Sequence, residues 1–366
     1  MLYIYGFVFV INLIASARYK NVKWISFGSI LLVTLIWAGN LVGPDIENYF
    51  FQYKNISLRI NSNSVEIVYN FLMKLFSSSG VSFYYFRYIM CIIGLGIIFY
   101  SLSKFNINIH GIFVAYLCCQ FFLDGIQFRN FLALPFLIIA LVVMSKKVKH
   151  WKLIFLLLIL FATLIHESFL AYLCFLLVPD DTTFKSKIIK THATIAIILC
   201  VVLFVFRKYL SIIVNLISTV DSDKAMSYSE VATNLGPLIC FALQVVAILF
   251  SLYNYKKMVR IQKYYDGDTE FEVRLEISKR ILWMNIIALY LLPFTMVQLT
   301  FYRLIRNIVL INYVPIEFLG RYYKRTNIYV LFGVVYLAIW QICEFNILNQ
   351  FEVIVVPFFA NNVFFQ

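Results

Sequence analysis

The sequence predicts an all-α polytopic membrane protein, and three observations carry that prediction. Of the 366 residues, 62% are hydrophobic and 13% charged, with a mean hydropathy of +0.85; a soluble domain is roughly 45–50% apolar and about 25% charged. The apolar residues come in long blocks rather than in the short alternating segments of a transmembrane barrel. Basic residues gather between the blocks, as they do in cytoplasmic loops under the positive-inside rule. That rule also accounts for the net charge of +13 without a nucleic-acid partner.

Taken in order, residues 2–16 form a first span. Ala15-Ser16-Ala17 resembles a cleavage site, but a signal peptide carries its basic residues before the apolar part. Here Arg18, Lys20 and Lys23 follow it, so an uncleaved span with an outside N-terminus is expected. Residues 24–41 return outward. Gly43-Pro44 then breaks the helix; the stretch up to residue 69 is too polar to cross, and 64–79 is apolar but short, so 42–82 reads as an external or re-entrant segment. Spans follow at 83–102, 108–123 and 126–144, the last held inside by Lys146, Lys147 and Lys149.

The run 151–178 is the difficult one. A span needs roughly 20 apolar residues, and this run is long for one span and short for two. His166-Glu167-Ser168 interrupts it near its middle. Lys185, Lys187 and Lys190 beyond it read as cytoplasmic, which favours a hairpin with His166 at its outer tip; a single tilted span is the alternative. Residues 192–206 go outward, 207–234 form an external loop, 235–253 return, and 254–280 read as a cytoplasmic loop of mixed charge. Spans at 281–300, 307–319 and 327–343 complete one polytopic domain with about ten membrane helices.

Polar residues at unexpected depth converge on the outer side: Asp45, Glu66, Arg129, His166, Arg303 and Arg306. Ionisable residues within membrane helices usually face a cavity and serve function. Asp45, Tyr49 and Tyr53 are spaced by four, and Glu66 and Tyr69 by three, so each set shares a helix face. Arginine grips phosphate through paired donors, and Arg303 and Arg306 are one turn apart. A histidine can take a proton from a hydroxyl. Arginines beside a histidine at a lipid surface suit transfer from a lipid diphosphate to a hydroxyl. Asp124 beside Arg129, as a simple helix-capping pair, is the bland reading of that turn. No nucleotide fingerprint or metal motif is present, and the seven cysteines lie in or near apolar blocks without a CxxC. No cofactor is expected.

These residues resemble the EpsG family of bacterial membrane proteins. The likeness rests on Gly43-Pro44-Asp45 with Tyr49 and Tyr53, on Glu66 and Tyr69, on Phe128-Arg129-Asn130-Phe131-Leu132-Ala133, and on His166-Glu167-Ser168. Where the family tends to show Glu-x-Gly-Tyr, this chain has Glu66-Ile67-Val68-Tyr69. The resemblance implies a Wzy-like polymerase of capsular or exopolysaccharide synthesis with a GT-C-like fold, placed in the bacterial cytoplasmic (inner) membrane. It implies undecaprenyl-diphosphate-linked oligosaccharide as substrate, with a flippase and a chain-length regulator as partners. Arg129 would be an essential or diphosphate-binding arginine, His166 the base, and Asp45 part of the outer pocket. A lipid-linked oligosaccharide flippase, or another lipid-dependent transferase such as an O-antigen ligase, is the alternative.

Overall fold

The computed structural model describes residues 1–18, 22–41, 43, 45–56, 66–180, 236–297, 299–323, 355–360 and 362–365, with scattered helical positions at 188–205 and 333–339. The expected external loop 207–234 lies outside the described residues, as does all but a few positions of the expected span 327–343. Among the described residues the protein is helical; the one β feature is an isolated antiparallel bridge between Asn40 and Asn362. Four of the described helices are long and apolar enough to cross a membrane, and shorter apolar helices accompany them. The protein is thus an all-α polytopic membrane protein. By its contacts the chain forms two compact units, Met1–Met144 with Leu153–Leu170 and Ile316–Gln366, and Ser145–Lys152 with Ala171–Pro315.

In the first unit, α1 (Leu2–Ala17) and α2 (Lys23–Ala38) pack on each other, and α2 packs on α5 (Phe83–Ser103). Between them come two short helices, α3 (Ile46–Asn55) and α4 (Ile67–Ser78). The 12 residues of α4 reach about 18 Å at ~1.5 Å per residue, well short of the roughly 30 Å of a bilayer core. Its end is set by Gly80, whose φ of 72° is open to glycine at little cost. Gly80 N–H donates to Ser77 O and Val81 N–H to Phe76 O, each at 3.1 Å, the paired bonds of a Schellman stop. Next are α6 (Ile109–Cys119), α7 (Phe121–Ile126) and α8 (Phe128–Ser145), the last with Pro135 inside it.

The C-terminal end of α2 is the most heavily tied point of this unit. Arg87, 1% exposed on α5, donates to Trp37 O, Ala38 O, Asn40 O and Gly125 O at 3.0–3.3 Å. Asn362 Nδ2 donates to Leu35 O and Ile36 O, and Val363 N–H to Gly39 O. The last carbonyls of a helix have no intrahelical donor, and here side chains and a returning tail supply them. Gly125 lets the Trp37 indole and the Phe358 ring approach its backbone; a methyl group there would overlap both. Gly125→Ala is therefore expected to destabilise the protein by about 1–3 kcal/mol or more through overpacking, read as a lower melting temperature of the purified protein.

His110 is fully buried. Its Nε2 accepts from Val22 N–H at 3.1 Å, and its Nδ1 lies 2.8 Å from Asn12 Oδ1. Asn12 passes the chain on to Ser29 Oγ at 2.7 Å. A ring nitrogen that accepts leaves the other to donate, so His110 is a neutral packing histidine.

The run 151–178 is a hairpin. Helix α9 (Trp151–Ile165) stops at His166, and a 3-10 helix follows over Glu167–Leu177. Trp151 Nε1 and Lys152 Nζ donate to the Asp180 carboxylate at 2.8 and 2.7 Å. A straight helix would hold those ends roughly 45 Å apart. The legs have 15 and 11 residues, yet at ~1.5 and ~2.0 Å per residue each reaches about 22 Å. His166 is at the reversal. Lys152 and Trp151 hold the Asp180 carboxyl below its usual range.

In the second unit, α10 (Gly236–Ile261) and α11 (Thr269–Ile287) pack along each other. The residues 254–280, expected as a loop, are mostly the ends of these two helices. Asp268 caps α11 by accepting from Glu270 N–H and Phe271 N–H. Charges pair along α11, Glu270 with Arg274 and Glu276 with Arg280, a spacing that stabilises helix. That is why mixed charge here makes helix and not loop. Asn285 ties the core of the unit, donating to Ser251 Oγ and to Asn312 Oδ1 at 2.9 and 2.7 Å.

Candidate active site

Three elements of the first unit bring their polar residues to one point. Glu66 immediately precedes α4, Arg129 is the second residue of α8, and His166 marks the end of α9. The Glu66 carboxylate joins them. Its Oε2 accepts from Arg129 Nη1 at 2.6 Å, and its Oε1 lies 2.7 Å from His166 Nδ1. Both distances are in the short range of charge-assisted hydrogen bonds. A carboxylate only accepts, so Nδ1 of His166 carries the hydrogen, and in the neutral ring Nε2 holds the lone pair.

Aromatic rings frame the guanidinium. Arg129 stands over Tyr49 and Tyr69, its central carbon 5.3 and 6.0 Å from the ring centres. Tyr49 and Tyr69 also touch each other and Phe128, the three rings forming a triangle with centroid separations of 6.4–6.5 Å. Tyr69 stands in the first turn of α4, directly after Glu66 at its N-cap. Arg129 is the most open member, its side chain 21% exposed against 9% for Glu66 and 8% for His166. Burial alone would push the Glu66 carboxyl up, but His166 and Arg129 more than reverse that and hold it down to about 2, against an ordinary 4.5. Its stabilising effect is complete above pH 4.5 and is lost as pH falls toward 2.

Asp45 stands at the N-terminal end of α3, its carbonyl accepting from Tyr49 N–H at 3.0 Å. Tyr53 packs on Phe86 and donates to Val81 O at 2.7 Å, which ties α3 to the turn before α5. Arg303 and Arg306 belong to the second unit and bracket a short helix, Arg303–Arg306. Tyr172 fastens that helix: its hydroxyl donates to Leu304 O and accepts from Asn307 Nδ2, at 2.9 and 3.0 Å. Arg87 has no place in the sequence-based set. One basic residue inside an apolar span is the signal that would have found it.

A guanidinium and an imidazole joined by one carboxylate stand together in the first unit of a polytopic helical membrane protein. The chain belongs to the EpsG family, whose profile matches residues 2–353. Membership ties it to exopolysaccharide biosynthesis in a polymerase-like role. No curated protein and no solved structure matches the chain.

Proposed function

We propose that the protein is a Wzy-type polysaccharide polymerase. It transfers a growing glycan from undecaprenyl diphosphate to a hydroxyl of a lipid-linked repeat unit at the outer face of the bacterial cytoplasmic membrane. The observation that carries this reading is the juxtaposition of Arg129 and His166 on one carboxylate. In the reaction the acceptor oxygen bonds to the anomeric carbon as the bond from that carbon to the diphosphate oxygen breaks. The electron pair leaves with the lipid diphosphate, which gains one negative charge. The hydroxyl proton passes to Nε2 of His166.

Each group suits its task. Arg129 is permanently charged and sits where a guanidinium can meet the developing charge of the leaving group. His166 supplies an imidazole, a side chain that can take a proton from a hydroxyl, with Nδ1 already committed. Asp45, Tyr49 and Tyr69 would shape the sugar-binding side. Neither a nucleotide sugar nor a metal is required by this balance of atoms.

Deleting the chain in its host is expected to leave single repeat units on lipid at the outer face and to abolish long polymer. Lipid extraction and a gel of the glycan ladder read both. Accumulation of lipid-linked units on the cytoplasmic face would assign the flippase role instead.

A further inference from the structure

We propose that Glu66 is a positioning residue that sets the tautomer of His166 and locks the base and the anion-binding arginine into one unit. This rests on the polymerase reading for what the proton does, but its physical content is separate. Glu66 comes from a helix too short to span, 63 residues before Arg129 and 100 before His166. With one carboxylate it engages both, and it is itself nearly buried. A negative carboxylate repels a diphosphate, so substrate binding is a poor use of it. Holding Nδ1–H is a good one, because it leaves the other ring nitrogen as the acceptor of the substrate proton.

The isosteric change Glu66→Gln makes the idea sharp. Arginine has no acceptor, so the glutamine's carbonyl oxygen must turn to Arg129. The amide NH2 then faces His166 Nδ1. Nδ1 can meet it only by accepting, which moves the ring hydrogen to Nε2. Shape is kept, and the base is switched off. The wrong tautomer beside intact geometry costs about 10,000-fold in turnover where a serine-protease carboxylate is changed to its amide. General base catalysis overall contributes about 100- to 10,000-fold.

The experiment uses the full chain, purified in detergent with 15N-labelled histidine. The protein has 4 histidines, and a His166→Ala sample identifies the resonances of His166. Wild type is expected to show a neutral His166 protonated at Nδ1, and Glu66→Gln one protonated at Nε2. Unchanged signals from buried His110 report that the variant is folded. In cells, Glu66→Gln is expected to lower polymer formation at least about 100-fold. Glu66→Asp, which keeps an acceptor-only group, is expected to retain the wild-type tautomer and recover most of that loss. A His166 still protonated at Nδ1 in Glu66→Gln overturns the proposal. So does an inverted tautomer in cells that make a normal glycan ladder. The polymerase reading fails on a different arm, a deletion strain that still makes polymer; the tautomer measurement needs no substrate and stands apart from it.

Discussion

Cells carrying Arg129→Ala are expected to make at least about 100-fold less polymer than wild type, with single repeat units left on lipid and the protein present at its normal level. Removing one group that stabilises developing charge costs about 2.7–4 kcal/mol in well-studied enzymes, and 2.7 kcal/mol is about two decades in rate. Arg129 is also the most open member of its cluster, so under the proposed function its loss would remove a contact to substrate more than it removes packing. Arg129→Lys is the more telling variant. It keeps the positive charge next to Glu66 and so keeps the ion pair. It loses the planar fork that stacks on Tyr49 and Tyr69 and can offer two donors to a diphosphate. We expect it to lose at least about tenfold while melting near wild type. A normal ladder from either variant would remove Arg129 from the chemistry.

Much of this architecture was legible in the sequence because it depends on local pattern. Apolar blocks the length of a bilayer became helices such as Phe83–Ser103 and Phe128–Ser145. The polar break at His166 read as a reversal, and the Trp151–Asp180 contact closes it. The residue types of the candidate site were legible too, since charge at membrane depth is costly and stands out. Their grouping was not. Glu66, Arg129 and His166 meet across separations that no helical period encodes, so the sequence placed Glu66 with the ligand and offered Asp124 as a neighbour for Arg129. Only the folded structure shows that one carboxylate serves both side chains. Arg87 and His110 were passed over for the opposite reason: each lies in an apolar helix or at its start, and its partners are backbone carbonyls or amides far away in the chain.

Arg87→Leu is expected to be the most damaging single change to the fold. Its guanidinium supplies four hydrogen bonds to backbone carbonyls, three at the end of α2 and one from Gly125 on α7. It is held between the Phe83 and Phe128 rings, 5.5 and 5.8 Å from their centres. The leucine would remove every donor and leave acceptors where water does not reach. A buried group left unsatisfied costs about 1–3 kcal/mol, so even partial relaxation leaves a loss of about 4 kcal/mol or more across four. Net stabilities are only about 5–15 kcal/mol. The Asn362 contacts on Leu35 and Ile36 cannot replace them, since they serve the preceding carbonyls. The leucine variant should accumulate poorly and aggregate on extraction. Arg87→Lys retains the charge and up to three donors on a compact head, too few and too narrowly placed for four carbonyls, so it should fold with a lowered melting temperature. The consequence also reaches the candidate site: Phe128 is both a wall for Arg87 and in ring contact with Tyr49 and Tyr69, the two rings against the Arg129 guanidinium. Arg87→Lys should therefore reduce polymer more than its loss of protein level explains. Wild-type melting in the leucine variant would show that the end of α2 is held by something other than this arginine.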